Sequence, residues 1–446
     1  MDGRTPPLAR SAICLLLWML LLPTLPAQAA DDTEHVTVIR ASRVITGTGE
    51  ILEPGEVVFE DGKISLVGNQ LEYPKNARII DARGQTLMAG MILARSSHGL
   101  SNLSRNGIHC DWSPLRQLND QEMPWAEFLE AGIVAASLVP GGSGFPGHAV
   151  VVNTAPESTD RILNESAFLP LNGRTSSGLY ASIDKAFGGA RGEIEKVEKA
   201  REQWDKEQEE AKKKAEEESG KKDGEAAEEK KKDGEAKDDK PKEFTPPKMN
   251  PSVVELVKIL QEKDDALPIV FDASTPGLIL HFDAAMADVK ELKDRDPLGI
   301  FILPGTRNGA FHQVIEMLAE RKATVLIPPG LSALPDTYTR ISIPVALSRA
   351  GCTLVTIPRT DNPEGMRNIP GMLAELVRYG LSRETALASV TTEPARLLGL
   401  GDRMGTVEAG KEPHFVLFDA DPLEPGARVM KTIIAGQVVW DREDNR

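Results

Sequence analysis

Five unbroken apolar runs limit how this chain can fold. Residues 132–139, 267–271, 299–303, 323–327 and 352–357 are each rich in Val, Ile, Leu and Phe, with no polar alternation. Continuity of that kind suits parallel strands buried on both faces rather than strands with one wet side. Helical patterns lie between them, for example at 310–321 and 370–379. Strands alternating with helices over this length predict an α/β fold, either a (β/α) barrel or a doubly wound sheet, and periodicity alone does not choose.

The two ends of the chain read differently. Residues 36–40, 56–60 and 63–67 are short and β-branched, and Asp61-Gly62 between the last two is a strong hairpin signal. Such a meander has too little core to stand alone. Residues 415–419 and 429–440 are strand-like again, with a turn at Ala435-Gly436-Gln437. The two ends therefore predict one small β-unit completed around a large insert.

A second interruption covers residues 193–248. This stretch is dense in charge and almost free of apolar residues. Its first half, 193–218, carries helix formers with mixed charge at helical spacing and predicts a solvated helix. Its second half repeats Lys-Lys-Asp-Gly-Glu-Ala at 221–226 and 231–236, and no core can form from that composition. The segment reads as a tolerated surface insertion, or else as a docking arm for a partner.

The first 29 residues have the pattern of a signal peptide. Arg4 and Arg10 precede an apolar run at 12–22 that is too short to span a bilayer, and Ala27-Gln28-Ala29 is a cleavage pattern. A periplasmic or secreted protein, free of the membrane after cleavage, is the expectation. Cys110 and Cys352 then remain, far apart in sequence, and are expected as two separate buried thiols rather than a bridge. A net charge of −15 with no basic stripe argues against nucleic acid as a partner.

The C-terminal third carries a long ordered pattern. Residues 380–387 (Gly-Leu-Ser-Arg-Glu-Thr-Ala-Leu) precede 390–400 (Val-Thr-Thr-Glu-Pro-Ala-Arg-Leu-Leu-Gly-Leu). Gly405-Thr406-Val407-Glu408-Ala409-Gly410-Lys411 then leads into 415–423. Ser382 is placed to cap a helix with Glu384 in its first turn. Pro394 suits a new helix start. This pattern resembles the closing segment of the amidohydrolase superfamily, nearest to its imidazolonepropionase-like members. Residues 62–64 and 80–84 resemble that family's opening β-unit, 87–92 its lead into the first barrel strand, and 247–273 the segment ending on the fifth.

The resemblance implies a (β/α)8 TIM-like barrel with a small β-sandwich formed by both termini. The expected organisation is a signal peptide at 1–29, sandwich at 30–88, barrel at 89–192, the charged insertion at 193–248, barrel again at 249–398 and sandwich at 399–446.

It also implies a chemistry. Members use one or two divalent metals to activate water. The ligands are a His-x-His pair after the first strand, Lys or Glu on the fourth, His on the fifth and sixth, and Asp on the eighth. In this chain the pair falls on Arg95 and Ser97, and Arg95 cannot bind a cation. His98 is one residue out of register. The fourth strand, near 167–170, shows no clear Lys or Glu. The fifth-strand position is Asp272, which could still ligate. The sixth is Pro304. Thr360-Asp361-Asn362-Pro363 fits the eighth-strand motif, so Asp361 transfers cleanly, as a catalytic and metal-binding residue or as a structural cap on the following loop. Asp361 and Asp272 are thus the two candidate ligands, short of the three that a zinc site needs.

Other constellations are thinner. His109-Cys110-Asp111 holds ligand types, but consecutive residues rarely face one metal. His148 follows a Gly-rich stretch at 141–147 that lacks the strand–loop–helix framing of a phosphate cradle. His281 and His312 fall in predicted helices. No Ser or Cys sits in a nucleophile elbow. The expectation is an amidohydrolase-related protein with impaired catalysis. It would act by binding, as partner to an active relative or as receptor for a small polar ligand at the barrel mouth, and would need no cofactor. The alternatives are an active hydrolase of non-peptide carbon–nitrogen bonds, such as cyclic amides, using zinc or a similar metal, and a scaffold working through the charged arm.

Overall fold

The structure is a computed structural model, and it describes residues 36–100, 104–220, 243–292, 299–303 and 309–444. The signal-peptide pattern, the two Lys-Lys-Asp-Gly-Glu-Ala repeats and Pro304 lie outside the described residues. Among the described residues no helix is long and apolar enough to cross a membrane.

Both termini meet in one eight-stranded sheet. Its strands, numbered along the chain, are β1 (Thr37–Ile45), β2 (Ile51–Leu52), β3 (Gly55–Glu60), β4 (Lys63–Gly68), β5 (Arg78–Ala89), β19 (Phe415–Phe418), β20 (Val429–Ile434) and β21 (Gln437–Asp441). The order is β21-β20-β19-β5-β1-β3-β4, with β2 beside β1. The junction is the antiparallel pairing of β5 with β19, which sets Ala89 opposite Phe415. Val38, Ile39, Val57, Phe415 and Leu417 are buried along it. The expected hairpin turn forms at Asp61-Gly62, where both residues have positive φ (48° and 73°), as the strand twist requires of a two-residue turn. Ala435-Gly436 repeats the device at 50° and 78°. The expected sandwich is thus a single hydrogen-bonded sheet that joins the ends.

The middle of the chain forms two further sheets. One contains β6 (Met91–Ser96), β8 (Ile133–Leu138), β10 (Val150–Asn153) and β11 (Ile162–Asn164), in the order β11-β10-β8-β6. The other contains β7 (Gly107–Ile108), β9 (Gly144–Phe145), β12 (Leu169–Gly173), β13 (Ile269–Ala273), β14 (Ile300–Ile302), β15 (Thr324–Ile327) and β18 (Thr353–Thr356). From β12 to β18 its neighbours are all parallel. A small hairpin of β16 (Ser332–Ala333) and β17 (Arg340–Ile341) stands apart. Ile92, Ala94, Phe168, Val270, Ile302, Leu326 and Val355 pack into one apolar cluster shared by the two sheets.

The closed barrel ring expected from the resemblance is not formed. Among the described residues no strand ladder joins β18 to β6. The strand-edge donors there find other acceptors: Thr356 N donates to Ser389 O and Ile92 N to Val390 O, each at 2.8 Å. Residues 389 and 390 therefore sit where a direct β18–β6 ladder would run. On the other side Ala149 N donates to Phe168 O at 2.9 Å. Gly90 makes the tight passage from β5 into β6 possible, because a Cβ there would lie 2.3 Å from the Val134 side chain.

One helix, spanning Ser176–Gly220, 45 residues, leads into the charged segment. Leu179, Ile183, Ala186, Phe187 and Ala190 bury one stripe of its first half, at helical spacing. Beyond that the chain returns along the helix. Phe244 meets the Trp204 ring at 5.9 Å and lies under the Arg201 guanidinium. Lys196 Nζ donates to Lys248 O at 3.0 Å. Cys110 and Cys352 are both buried and unbridged.

Candidate functional site

Parallel strands of a barrel-like sheet place their C-terminal ends on one face, and loops after them build the site. Here that face gathers the ends of β6, β12, β13 and β18. β6 ends irregularly: its register against β8 shifts between Leu93 and Ser96. A shift of that kind re-aims side chains. Arg95, Ser96 and Ser97 accordingly all reach carboxylates across the mouth.

Asp361 accepts three hydrogen bonds, from Ser96 Oγ at 2.7 Å, Ser97 N at 2.6 Å and Ser97 Oγ at 3.0 Å. Both carboxylate oxygens are engaged, and they tie the loop after β18 to the end of β6. The expected structural role of Asp361, a cap on its own following loop, belongs instead to Asn362. That side chain accepts from Gly365 N at 2.8 Å and caps the helix Pro363–Arg367.

Asp272 ends β13, in register with Asn172 on β12. Arg95 Nη2 donates to Asp272 Oδ2 at 3.1 Å. Burial pushes the Asp272 carboxyl above its usual range, and the neighbouring Arg95 pulls it only part of the way back. Asn172 Nδ2 donates to Gly142 O at 3.0 Å, anchoring the Gly-rich loop. Arg359 Nη2 donates to Pro329 O at 3.0 Å, which ties the segment before Asp361 to the one after β15.

The expected ligands therefore come together at the mouth, but as hydrogen-bonded pairs. A divalent cation between Asp272 and Asp361 would face a permanently charged guanidinium and would compete with three donors already on Asp361. Among the described residues no group of three or more His, Cys, Asp or Glu side chains is placed to hold a metal ion. These residues do not fit a family-type metal site.

His98 turns away from both aspartates, as its register predicted. Its Nε2 pairs with Glu127, and its ring lies against Phe128. His109, Cys110 and Asp111 do not converge. His109 bonds to Asn106 O, Asp111 accepts from Ser252 Oγ, and burial holds the Cys110 thiol up at about 12. His148 Nδ1 bonds to the Cys110 carbonyl. His281 and His312 lie in helical segments, as expected.

Ser96, Asn172, Arg174 and Arg359 were missed as mouth residues. The shifted β6 register that brings Ser96 to Asp361 leaves no mark in hydrophobic periodicity. A separate cavity of about 670 Å³ opens at the other end of β18, lined by Thr48, Glu50, Cys352, Arg383 and Arg396 among others. It lies away from the strand ends just described and shares none of their carboxylates.

The chain is 35% identical over 123 residues to amidohydrolase tasK of Hapsidospora irregularis, covering 26% of this chain and 12% of that protein. It is 24% identical over 227 residues to N-acetylglucosamine-6-phosphate deacetylase of Danio rerio, covering 42% and 55%. It is 28% identical over 172 residues to imidazolonepropionase of Brucella anthropi, covering 36% and 38%. The matched stretch is thus at most 55% of the length of these relatives. The crystal structure of an amidohydrolase from Thermotoga maritima superposes with a TM-score of 0.65 at 20% identity, covering 91% of this chain and all of that one, so the fold is shared. Residues 359–440, which begin just before Asp361 and end in β21, match the model of the Amidohydrolase family.

Proposed function

We propose that this protein is an exported binding protein on an amidohydrolase fold, with the family's metal chemistry replaced by an internal ion pair at the barrel mouth. One observation carries the reading: Arg95 occupies the first position of the expected His-x-His pair and donates to Asp272. A guanidinium stays protonated at any physiological pH, so it supplies positive charge there but no lone pair. The mouth would then serve a small polar ligand, or would pair with a relative that keeps its metal. The similarity to deacetylases and imidazolonepropionases supports descent from hydrolases of non-peptide carbon–nitrogen bonds.

The test is metal content by mass spectrometry, on protein purified without chelators or a His-tag. Well below one equivalent per chain is expected, and incubation with zinc, manganese or iron should not change it. One equivalent or more of any of these would overturn the reading and return the chain to the metal-dependent hydrolases.

A further inference from the structure

Arg95 is under-used. A guanidinium has five N–H donors in a fixed planar fork. Among the described residues only one of them, on Nη2, has a protein acceptor, and that bond is a single 3.1 Å contact. The side chain keeps 38% of its surface open to solvent, whereas Asp272 keeps only 16%. The pair is therefore exposed on its cationic side. Asp361, the other carboxylate of the mouth, accepts from Ser96 and Ser97 and does not draw on Arg95.

The surroundings favour an anion. Arg174 follows the end of β12, and Arg359 follows β18 with one bond to Pro329 O. Three arginines thus stand at three strand ends of one face, in a chain whose net charge is −15. Cationic groups gathered on one face of an acidic molecule attract counter-charged ligands. The two aspartates at the same face disfavour a dianion and leave room for a single negative charge.

We infer that the barrel mouth binds the carboxylate of a small organic acid or of an N-acylated amino acid, gripped by the free N–H groups of Arg95. This rests on the reading of the mouth as a binding site without metal. Asp272 competes with the incoming carboxylate for the same guanidinium and holds it in place when the site is empty. Arg pairs bidentately with a planar carboxylate, which a single ammonium cannot imitate.

The experiment is a calorimetric and NMR titration of the full chain with acetate, succinate and N-acetylglycine, with inorganic phosphate and N-acetylglycinamide as controls. Saturable binding of the carboxylates is expected, and none of the amide. Arg95→Lys should weaken binding at least tenfold. Asp272→Asn, which releases the guanidinium, should tighten it several-fold. Arg95→Gln leaves Asp272 without its cation and can destabilise the fold. Arg95→Gln combined with Asp272→Asn removes both charges while keeping hydrogen-bonding groups, and it too should lose binding. No saturable carboxylate binding, unchanged affinity in Arg95→Lys, or tighter binding of phosphate than of every carboxylate would each overturn the inference. Metal content measured on the same sample separates the two failures. Metal-free protein that ignores carboxylates sinks this inference alone, whereas stoichiometric metal sinks the reading beneath it.

Discussion

Arg95 on β6 reaches Asp272 at the end of β13, 177 positions further along the chain, and the two meet Nη2 to Oδ2 at 3.1 Å. Burial works against the Asp272 charge and Arg95 works for it. Replacing Arg95 with Gln should therefore move the Asp272 carboxyl further up, readable by carbon-detected NMR titration. Because Arg95 is more than a third exposed, the loss of stability should be modest, about 1–2 kcal/mol, and not the larger penalty of a fully buried pair. An Asp272 titration that stays put or moves down would show that the pair is not felt across the mouth.

The same geometry predicts a reversal. Arg95→His together with Ser97→His would remove the fixed cation and add two imidazoles facing Asp272 and Asp361, giving four donors where zinc sites need about three from the protein. The double variant should bind zinc with at least tenfold higher affinity than the starting protein in competition with a chromophoric chelator. Equal affinity in both would mean that backbone placement, and not residue identity, keeps metal away.

Much of the fold was legible before the structure. The apolar runs became β8, β13, β14, β15 and β18, and Asp61-Gly62 made its hairpin, because burial on both faces and positive φ leave direct marks on residue choice. The closure of the ring was not legible. It turns on whether Thr356 and Ile92 bond to each other or to residues 389 and 390, a choice between backbone partners that no side chain announces. At the mouth the residue types at positions 95, 97, 272 and 361 could be read off. Their pairing could not, since Ser96 reaches Asp361 only through the shifted register of β6. The helix expected over 193–218 lies within a longer one that begins at Ser176, a start that the change in charge density near 193 does not mark.

Asp361 should be a stability residue. Its three donors come from Ser96, the last residue of β6, and from Ser97 just after it, so it fastens two strand ends that no ladder joins among the described residues. Asp361→Ala should cost about 2 kcal/mol in denaturant unfolding, since hydrogen bonds to a charged group contribute more than neutral ones but this group is exposed. Asp361→Asn should cost less, keeping one acceptor. A loss below about 0.5 kcal/mol for the alanine variant would leave the two strand ends held by packing alone.

A pH dependence is expected from the opposite end of the chain. Burial raises the Glu412 carboxyl, but His414 and Arg403 more than offset this and hold it at about 2, below its ordinary 4.5. Arg403 Nε donates to Glu412 Oε1 at 2.8 Å, and His414 is itself buried. With the folded value below the unfolded one, the stabilisation is complete above pH about 4.5 and is lost as pH falls towards 2. Glu412→Gln should be less stable at neutral pH and should show a shallower fall in unfolding free energy over that acid range. Parallel pH profiles for the two proteins would rule out Glu412 as the source.

The helical arm should be removable. Its anchoring stripe ends near Ala190, and Lys196 lies against Lys248, so the two ends of the projecting part are close together. Replacing residues 199–245 with a short Gly/Ser linker closes that gap without touching Leu179, Ile183 or Phe187, and loop-closure entropy changes only slowly with length. The shortened protein should unfold at the same temperature within a few degrees and keep its far-UV signal apart from the lost helix. It should also keep any carboxylate binding at the mouth, since the described partners of Arg95, Asp272 and Asp361 lie outside the arm. A collapse in stability would mean that Trp204, Phe244 and Arg201 brace the body of the protein and not merely the arm.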